Sequence, residues 1–96
     1  MLDSKQRSYL RSLANTITPI FQIGKNGIEQ NLLKQIDDAL EARELIKINV
    51  RSSSDLEMRK VSDVICEALN CEGVQIIGKK LVLYKRSNEK PRIELP

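Results

Sequence analysis

The chain has 96 residues, 41% hydrophobic and 30% charged, with a net charge of +3 and no histidine. That length suits one domain with one core, and the composition excludes a disordered chain. The missing histidine excludes Ser/His and Cys/His nucleophilic systems and removes the commonest general base.

Two cysteines, Cys66 and Cys71, cannot complete a four-ligand zinc site here and read as reduced thiols. No apolar run is long enough to span a membrane, and no signal peptide follows Met1. The expectation is a cytoplasmic protein without cofactor, membrane partner or small-molecule substrate.

Asp3 or Ser4 caps a first helix, with Gln6 three places after Asp3. Its buried stripe is Leu10, Leu13, Ala14 and Ile17, and Arg7 and Arg11 share another face. Pro19 ends this helix and opens a strand, Ile20–Ile23. Gly24-Lys25-Asn26-Gly27 follows, and then a helical pattern from about Ile28 to Arg43. Strand, glycine turn and helix start in succession bring unpartnered N–H groups and a partial positive charge to a place where glycines let a ligand approach. A phosphate fits such a place, with Lys25 supplying a full charge. The plainer reading is a strand-to-helix turn, in which Asn26 caps the helix and Glu29 completes a capping box.

The second helix has the stripe Ile28, Leu32, Ile36, Ala39 and Leu40. Leu45–Arg51 alternates as a half-buried strand, with Ile46, Ile48 and Val50 towards the core and Lys47, Asn49 and Arg51 away from it. Ser52–Ser54 is a loop, and Ser54 with Glu57 forms a capping box for a third helix. That helix has the stripe Met58, Val61, Ile65, Ala68 and Leu69, and Gly73 lies just past its end. Val74–Ile77 and Leu81–Tyr84 form a hairpin through Gly78-Lys79-Lys80. Leu81–Tyr84 is apolar on both sides and suits a central strand, in which Tyr84 packs in the core. Residues 1–86 read as one domain and 87–96 as a mostly irregular tail.

Charge is segregated along the chain. Residues 28–44 and 55–72 hold ten of the thirteen acids and four of the sixteen bases. Crossover helices make the first three strands parallel, so the ends of all three reach one sheet edge. Gly24–Gly27, Arg51–Ser54 and Gly78–Lys80 should gather there. A short turn from the first helix should bring Lys5 and Arg7 to the same side. The candidate site is therefore Lys5, Arg7, Gly24, Lys25, Asn26, Gly27, Arg51, Lys79 and Lys80, a basic footprint suited to a polyanion. Lys79 and Lys80 are also ordinary turn lysines, and Arg51 an ordinary solvated strand end. Lys85 and Arg86 fall at the opposite edge.

Four segments in order carry a family resemblance: Ser4–Arg11, Gln22–Gly27, Ala39–Lys47 and Leu81–Tyr84. Together they resemble the CRM domain (chloroplast RNA splicing and ribosome maturation) in its stand-alone bacterial, YhbY-type form, over residues 2 to about 86. The resemblance implies a two-layer α/β fold, α-β-α-β-α-β-β, similar to the C-terminal domain of bacterial translation initiation factor three. Its four-stranded mixed sheet would have the order 1-2-4-3, with strand four antiparallel. It also implies RNA binding through the G-x-x-G loop and nearby basic surface, and association with precursors of the large ribosomal subunit. The family commonly has a second small residue between the glycines, and Asn26 departs from that. A KH domain carries a similar loop between two helices, whereas a strand precedes this one.

The reading is a non-enzymatic module that clamps structured ribosomal RNA by its backbone and assists large-subunit assembly. The rival is a protein–protein adaptor using the acidic second and third helices, which an exposed apolar patch on them would favour. A nucleotide-acting enzyme is a distant third, since Gly24–Gly27 lacks P-loop spacing. No aromatic platform for bases is evident.

Overall fold

The Asp3 carboxylate accepts the backbone N–H of Gln6 at 2.8 Å, and the Gln6 side-chain oxygen accepts the N–H of Asp3 at 3.2 Å. This is the expected capping box, and helix α1 runs behind it from Ser4 to Ala14. The computed structural model describes residues 2–24, 27–51 and 55–96. The elements that follow are β1 (Phe21–Ile23), α2 (Gln30–Arg43), β2 (Leu45–Val50), α3 (Asp55–Leu69), β3 (Glu72–Ile77) and β4 (Lys80–Tyr84). They form one four-stranded sheet in the order β1-β2-β4-β3. β1 pairs parallel with β2, and β4 lies antiparallel between β2 and β3. This is the expected mixed sheet.

Helix α1 stops earlier than expected. It ends at Ala14 rather than at Pro19, because the N–H groups of Asn15, Thr16 and Ile17 turn to the carbonyls three residues back. That tighter winding exhausts the helix before the β-branched run Thr16–Thr18. Residues 15–20 then form a link to β1, whose pairing starts with the Ile20 N–H on the Lys47 carbonyl at 3.0 Å.

Helix α2 starts two residues later than expected. Glu29 is its N-cap and makes no side-chain capping bond, so the expected Asn26–Glu29 box does not open it. Gly27 sits at φ 76 and donates its N–H to the Gly24 carbonyl at 3.1 Å, which ends the preceding turn in left-handed backbone that a helix cannot continue. Asn26 itself, like Lys25 and the expected Ser54 cap of α3, lies outside the described residues.

The expected stripe of α3 holds at Met58, Val61, Ile65 and Leu69, but Ala68 is exposed and Ser62 is buried in its place. Gly73 does not cap α3. Asn70 takes the left-handed position at φ 55 and the Cys71 N–H returns to the Cys66 carbonyl at 3.1 Å, closing the helix before β3 begins. Gly73 lies inside β3, where an added Cβ would stand 3.0 Å from the Ser62 hydroxyl oxygen. Close approach of α3 to the strand, rather than a turn, is what calls for glycine there.

Each face of the sheet carries its own cluster. Ile23, Ile46, Ile48, Val50, Leu81 and Leu83 meet Ile36 and Leu40 of α2 and Met58 and Ile65 of α3. The other face puts Leu45, Val74, Val82 and Tyr84 against Leu10 and Ala14 of α1, with Ile93 and Leu95 of the tail beside them. Sheet and α2/α3 make the expected pair of layers, and α1 with the tail closes part of the second face. All of Leu81–Tyr84 is buried, so β4, like β2, is an inner strand, as its unbroken apolar run announced. Each such side chain contributes roughly 1.5–3 kcal/mol by burial. Among the described residues no helix is long and apolar enough to cross a membrane.

Candidate nucleic-acid interface

Two backbone hydrogen bonds draw three loops to one edge of the sheet. The Arg51 N–H reaches the Ile23 carbonyl at 2.9 Å, and the Val50 N–H reaches the Lys79 carbonyl at 2.8 Å. The end of β1, the end of β2 and the β3–β4 turn are thereby tied together, with Gly24, Arg51 and Lys79 at the rim. Each follows from local chemistry. Ile23 and Val50 are register partners that bury themselves side by side, so the residues after them leave the sheet together. Gly78 takes φ 55 in a turn closed by the pair Ile77 and Lys80, which turns Lys79 and Lys80 outward. Arg51, Lys79 and Lys80 are all exposed.

Gly24 and Gly27 serve different ends. Gly27 needs its freedom for φ 76, whereas Gly24 does not adopt a positive φ. No heavy atom lies within 4 Å of where a Cβ would stand on either. The backbone at Gly24 and at Gly27 is therefore open to an approaching group, and α2 and α3 both direct their N-termini to this edge. Glu29 is exposed at the start of α2 and leaves a carboxylate near it.

Lys5 and Arg7 are not brought to this edge, contrary to expectation. The Arg7 guanidinium donates to the Gly73 carbonyl at the start of β3, the far end of that strand from Ile77. Gln6, between them, donates to the carbonyl of Pro96 at 3.3 Å. The reason is the link of residues 15–20, which is not a short turn, together with the packing of Leu10 and Ala14. These seat α1 across the end of the sheet where Leu45, Val74 and Tyr84 lie. Lys85 is at that end too, as expected, and its ammonium pairs with Asp37 at 3.0 Å.

The same far end holds two acids, Glu41 and Glu44, that no local pattern in the sequence singles out. Glu44 is 0% exposed and accepts the N–H groups of Ser87 and Ile93 at 2.9 and 2.8 Å, and that of Arg92. Burial pushes its carboxyl up, but these backbone donors prevail and hold it below the ordinary carboxylate value. Glu41 accepts the Ser87 hydroxyl and the Asn88 N–H, which lower its carboxyl likewise. The only sequence signal was Glu44 itself, at the single-residue link between α2 and β2 where a glycine is usual.

A model of the CRS1 / YhbY (CRM) domain matches residues 2–85. The chain is 47% identical over 96 residues to the Bacillus subtilis protein named "Probable RNA-binding protein YqeI", covering 100% of both. A Haemophilus influenzae protein named "RNA-binding protein" is 35% identical, with 99% of this chain and 95% of that protein covered. The solution structure of the hypothetical protein SAV1595 from Staphylococcus aureus superposes with a TM-score of 0.87 at 51% identity, over 100% of both chains.

Proposed function

The chain belongs to the CRS1/YhbY (CRM) domain family, and from that premise we propose that it is a non-enzymatic protein that binds structured ribosomal RNA. The turn Gly24-Lys25-Asn26-Gly27 holds one phosphate on backbone donors and the Lys25 ammonium, and Arg51, Lys79 and Lys80 hold neighbouring phosphates. Lys5 and Arg7 would meet only an RNA long enough to reach the far end of the sheet. The observation that carries this reading is the pair of bonds from Arg51 to Ile23 and from Val50 to Lys79. They gather cations from the end of β2 and the β3–β4 turn beside the open positions of Gly24 and Gly27 and two helix N-termini. The names of the relatives support RNA as the partner.

The module assists assembly of the large ribosomal subunit in the cytoplasm. Crosslinking the protein in cells and sequencing the bound RNA tests this directly. Reads concentrated in large-subunit ribosomal RNA and its precursors are expected, and reads spread evenly over messenger RNA would refute it. The adaptor alternative gains little from the described surface. Among the described residues the exposed large apolar side chains, Tyr9, Val64 and Ile77, lie on three different elements and form no patch on α2 and α3.

A further inference from the structure

The register of the sheet aligns one residue from every strand in a single row. Gln22 pairs with Asn49, Asn49 with Lys80, and Lys80 with Ile77. Partners in register point to the same face, and this face is the one α1 shares, since the residues on either side, Ile23, Ile48 and Leu81, belong to the α2/α3 cluster. Helix α1 does not reach the row. Its contacts are Leu45, Val74, Val82 and Tyr84, nearer the other end, whereas Gln22, Lys80 and Ile77 are exposed and Asn49 is half-buried. One step inward the next row begins with Lys47 and Gln75, both half-buried, on either side of Val82. With strands roughly 4.8 Å apart, four side chains make a strip about 14 Å long.

We propose that this strip binds a single-stranded segment of RNA, with the amides of Gln22 and Asn49 reading base edges. The inference rests on the RNA reading above and extends it from phosphate holding to base contact. The chemistry is specific to such a ligand. A side-chain amide offers a donor and an acceptor together, which match the edges of unpaired bases. Lys47 and Lys80 on the same face answer the phosphates. Ile77, 46% exposed at the end of the row, gives a base an apolar surface to rest on. A face made to receive another protein would carry a contiguous apolar patch, and this row has one apolar member in four. The row is also continuous with the basic edge. Gln22 is two residues from Gly24, Asn49 two from Arg51, and Lys80 adjoins Lys79. A strand leaving a helical stem held at the edge runs directly onto the face.

The test uses the full chain and two RNAs, a hairpin with a single-stranded overhang and the same hairpin blunt-ended, with affinity read by fluorescence anisotropy. The double variant Gln22→Ala/Asn49→Ala should lose about tenfold or more on the overhang RNA, the scale of one or two lost amide–base contacts. It should keep its affinity for the blunt hairpin and its salt slope, because no charge is removed. The neutral, similarly sized pair Gln22→Met/Asn49→Leu guards against misfolding and should show the same selective loss, since it removes the amides without altering charge. Equal losses on both RNAs, or none, overturn the proposal. Arg51→Ala separates this from the parent reading, since it should weaken both RNAs alike. If it does so while the amide variants change nothing, the base-contact strip falls and the RNA reading stands. If the wild-type chain binds neither RNA, both fall. A dimer in sedimentation that the amide variants abolish would give the face to a second copy and likewise overturn it.

Discussion

The Glu44 carboxylate accepts the backbone N–H of Ser87 at 2.9 Å, across 43 residues of chain. Glu44 is held for this in left-handed backbone at φ 66, uncommon for any residue but glycine. The same carboxylate takes the N–H groups of Arg92 and Ile93, so the tail closes on it as a loop around one acceptor. Ile93 and Leu95 then lie against the α1 cluster. Tail and sheet are thus joined at the end opposite the glycine turn, which leaves that turn free of its own C-terminus.

Removing the carboxylate strands its donors. An unsatisfied buried N–H costs about 1–3 kcal/mol, and water will recover some of the three, so Glu44→Ala should lower stability by roughly 2–4 kcal/mol. Hydrogen exchange localises the effect. The amides of Ser87, Arg92 and Ile93 should lose protection well before those of β4, and a uniform loss across the sheet would contradict the tail-clasp role.

The same groups set the acid limb of stability. Glu41 and Glu44 both have carboxyls lowered from an ordinary value of 4.5 by donors present only in the folded chain. A depressed folded pKa contributes stability that is present above the unfolded value and is lost as pH falls through the folded one. Melting temperature should therefore be flat from about pH 5 upward and drop below about pH 4.5. Glu44→Gln should lower the plateau and flatten the drop. An unchanged acid limb in that variant would assign it to other carboxylates.

Elements whose signal is local were legible in the sequence. The box at Asp3 and Gln6, the alternation of Ile46, Ile48 and Val50, and the continuous apolar run Leu81–Tyr84 each express a period or a cap within a few residues. The gathering of Gly24, Arg51 and Lys79 was legible too, because crossover connections fix which strand ends share an edge. The position of Arg7 was not. It depends on where Leu10 and Ala14 find their partners, and those partners, Val74 and Tyr84, are far along the chain. Glu44 was hidden for the same reason, since a carboxylate that receives backbone donors from 43 residues away looks like any other helix-end acid. Asn49 reads as an outward strand position, and only the register sets Gln22 beside it.

Leu83 tests the sheet order energetically. It is 0% exposed on the inner strand β4, between Ile46 of β2 and Gly73 of β3. Leu83→Ala should cost roughly 2–5 kcal/mol by lost burial and the cavity left behind. Against a total stability of about 5–15 kcal/mol, part of the population would then be unfolded at growth temperature. An unchanged denaturant midpoint would be incompatible with the core described.

Salt dependence measures how many phosphates the edge engages. If Lys25, Arg51, Lys79 and Lys80 with the loop amides meet four or five, log affinity should fall against log salt with a slope of about −3 to −4.5. A titration from low to physiological salt on one structured RNA suffices. A flat response would leave no role for backbone clamping.

Lys25 separates an organised site from diffuse attraction. A lysine in a glycine turn contributes charge rather than packing, and open space surrounds the Cβ positions of Gly24 and Gly27 on either side of it. Lys25→Ala should therefore change stability by no more than about 0.5 kcal/mol. Binding should respond, because the variant loses the one full charge within the turn. Affinity should fall about equally for every RNA sequence, and the salt slope should shrink by about one contact. The control is Lys90→Ala in the tail, whose side chain is exposed and whose backbone N–H alone is engaged, with Ser87. Lys85 would serve less well, since its pair with Asp37 would confound stability with charge. Lys90→Ala carries the same change in net charge at the far end of the sheet, so it should leave both affinity and slope as they are. If Lys25→Ala and Lys90→Ala weaken binding equally, the cations act only through their sum, and the site at Gly24–Gly27 must be given up.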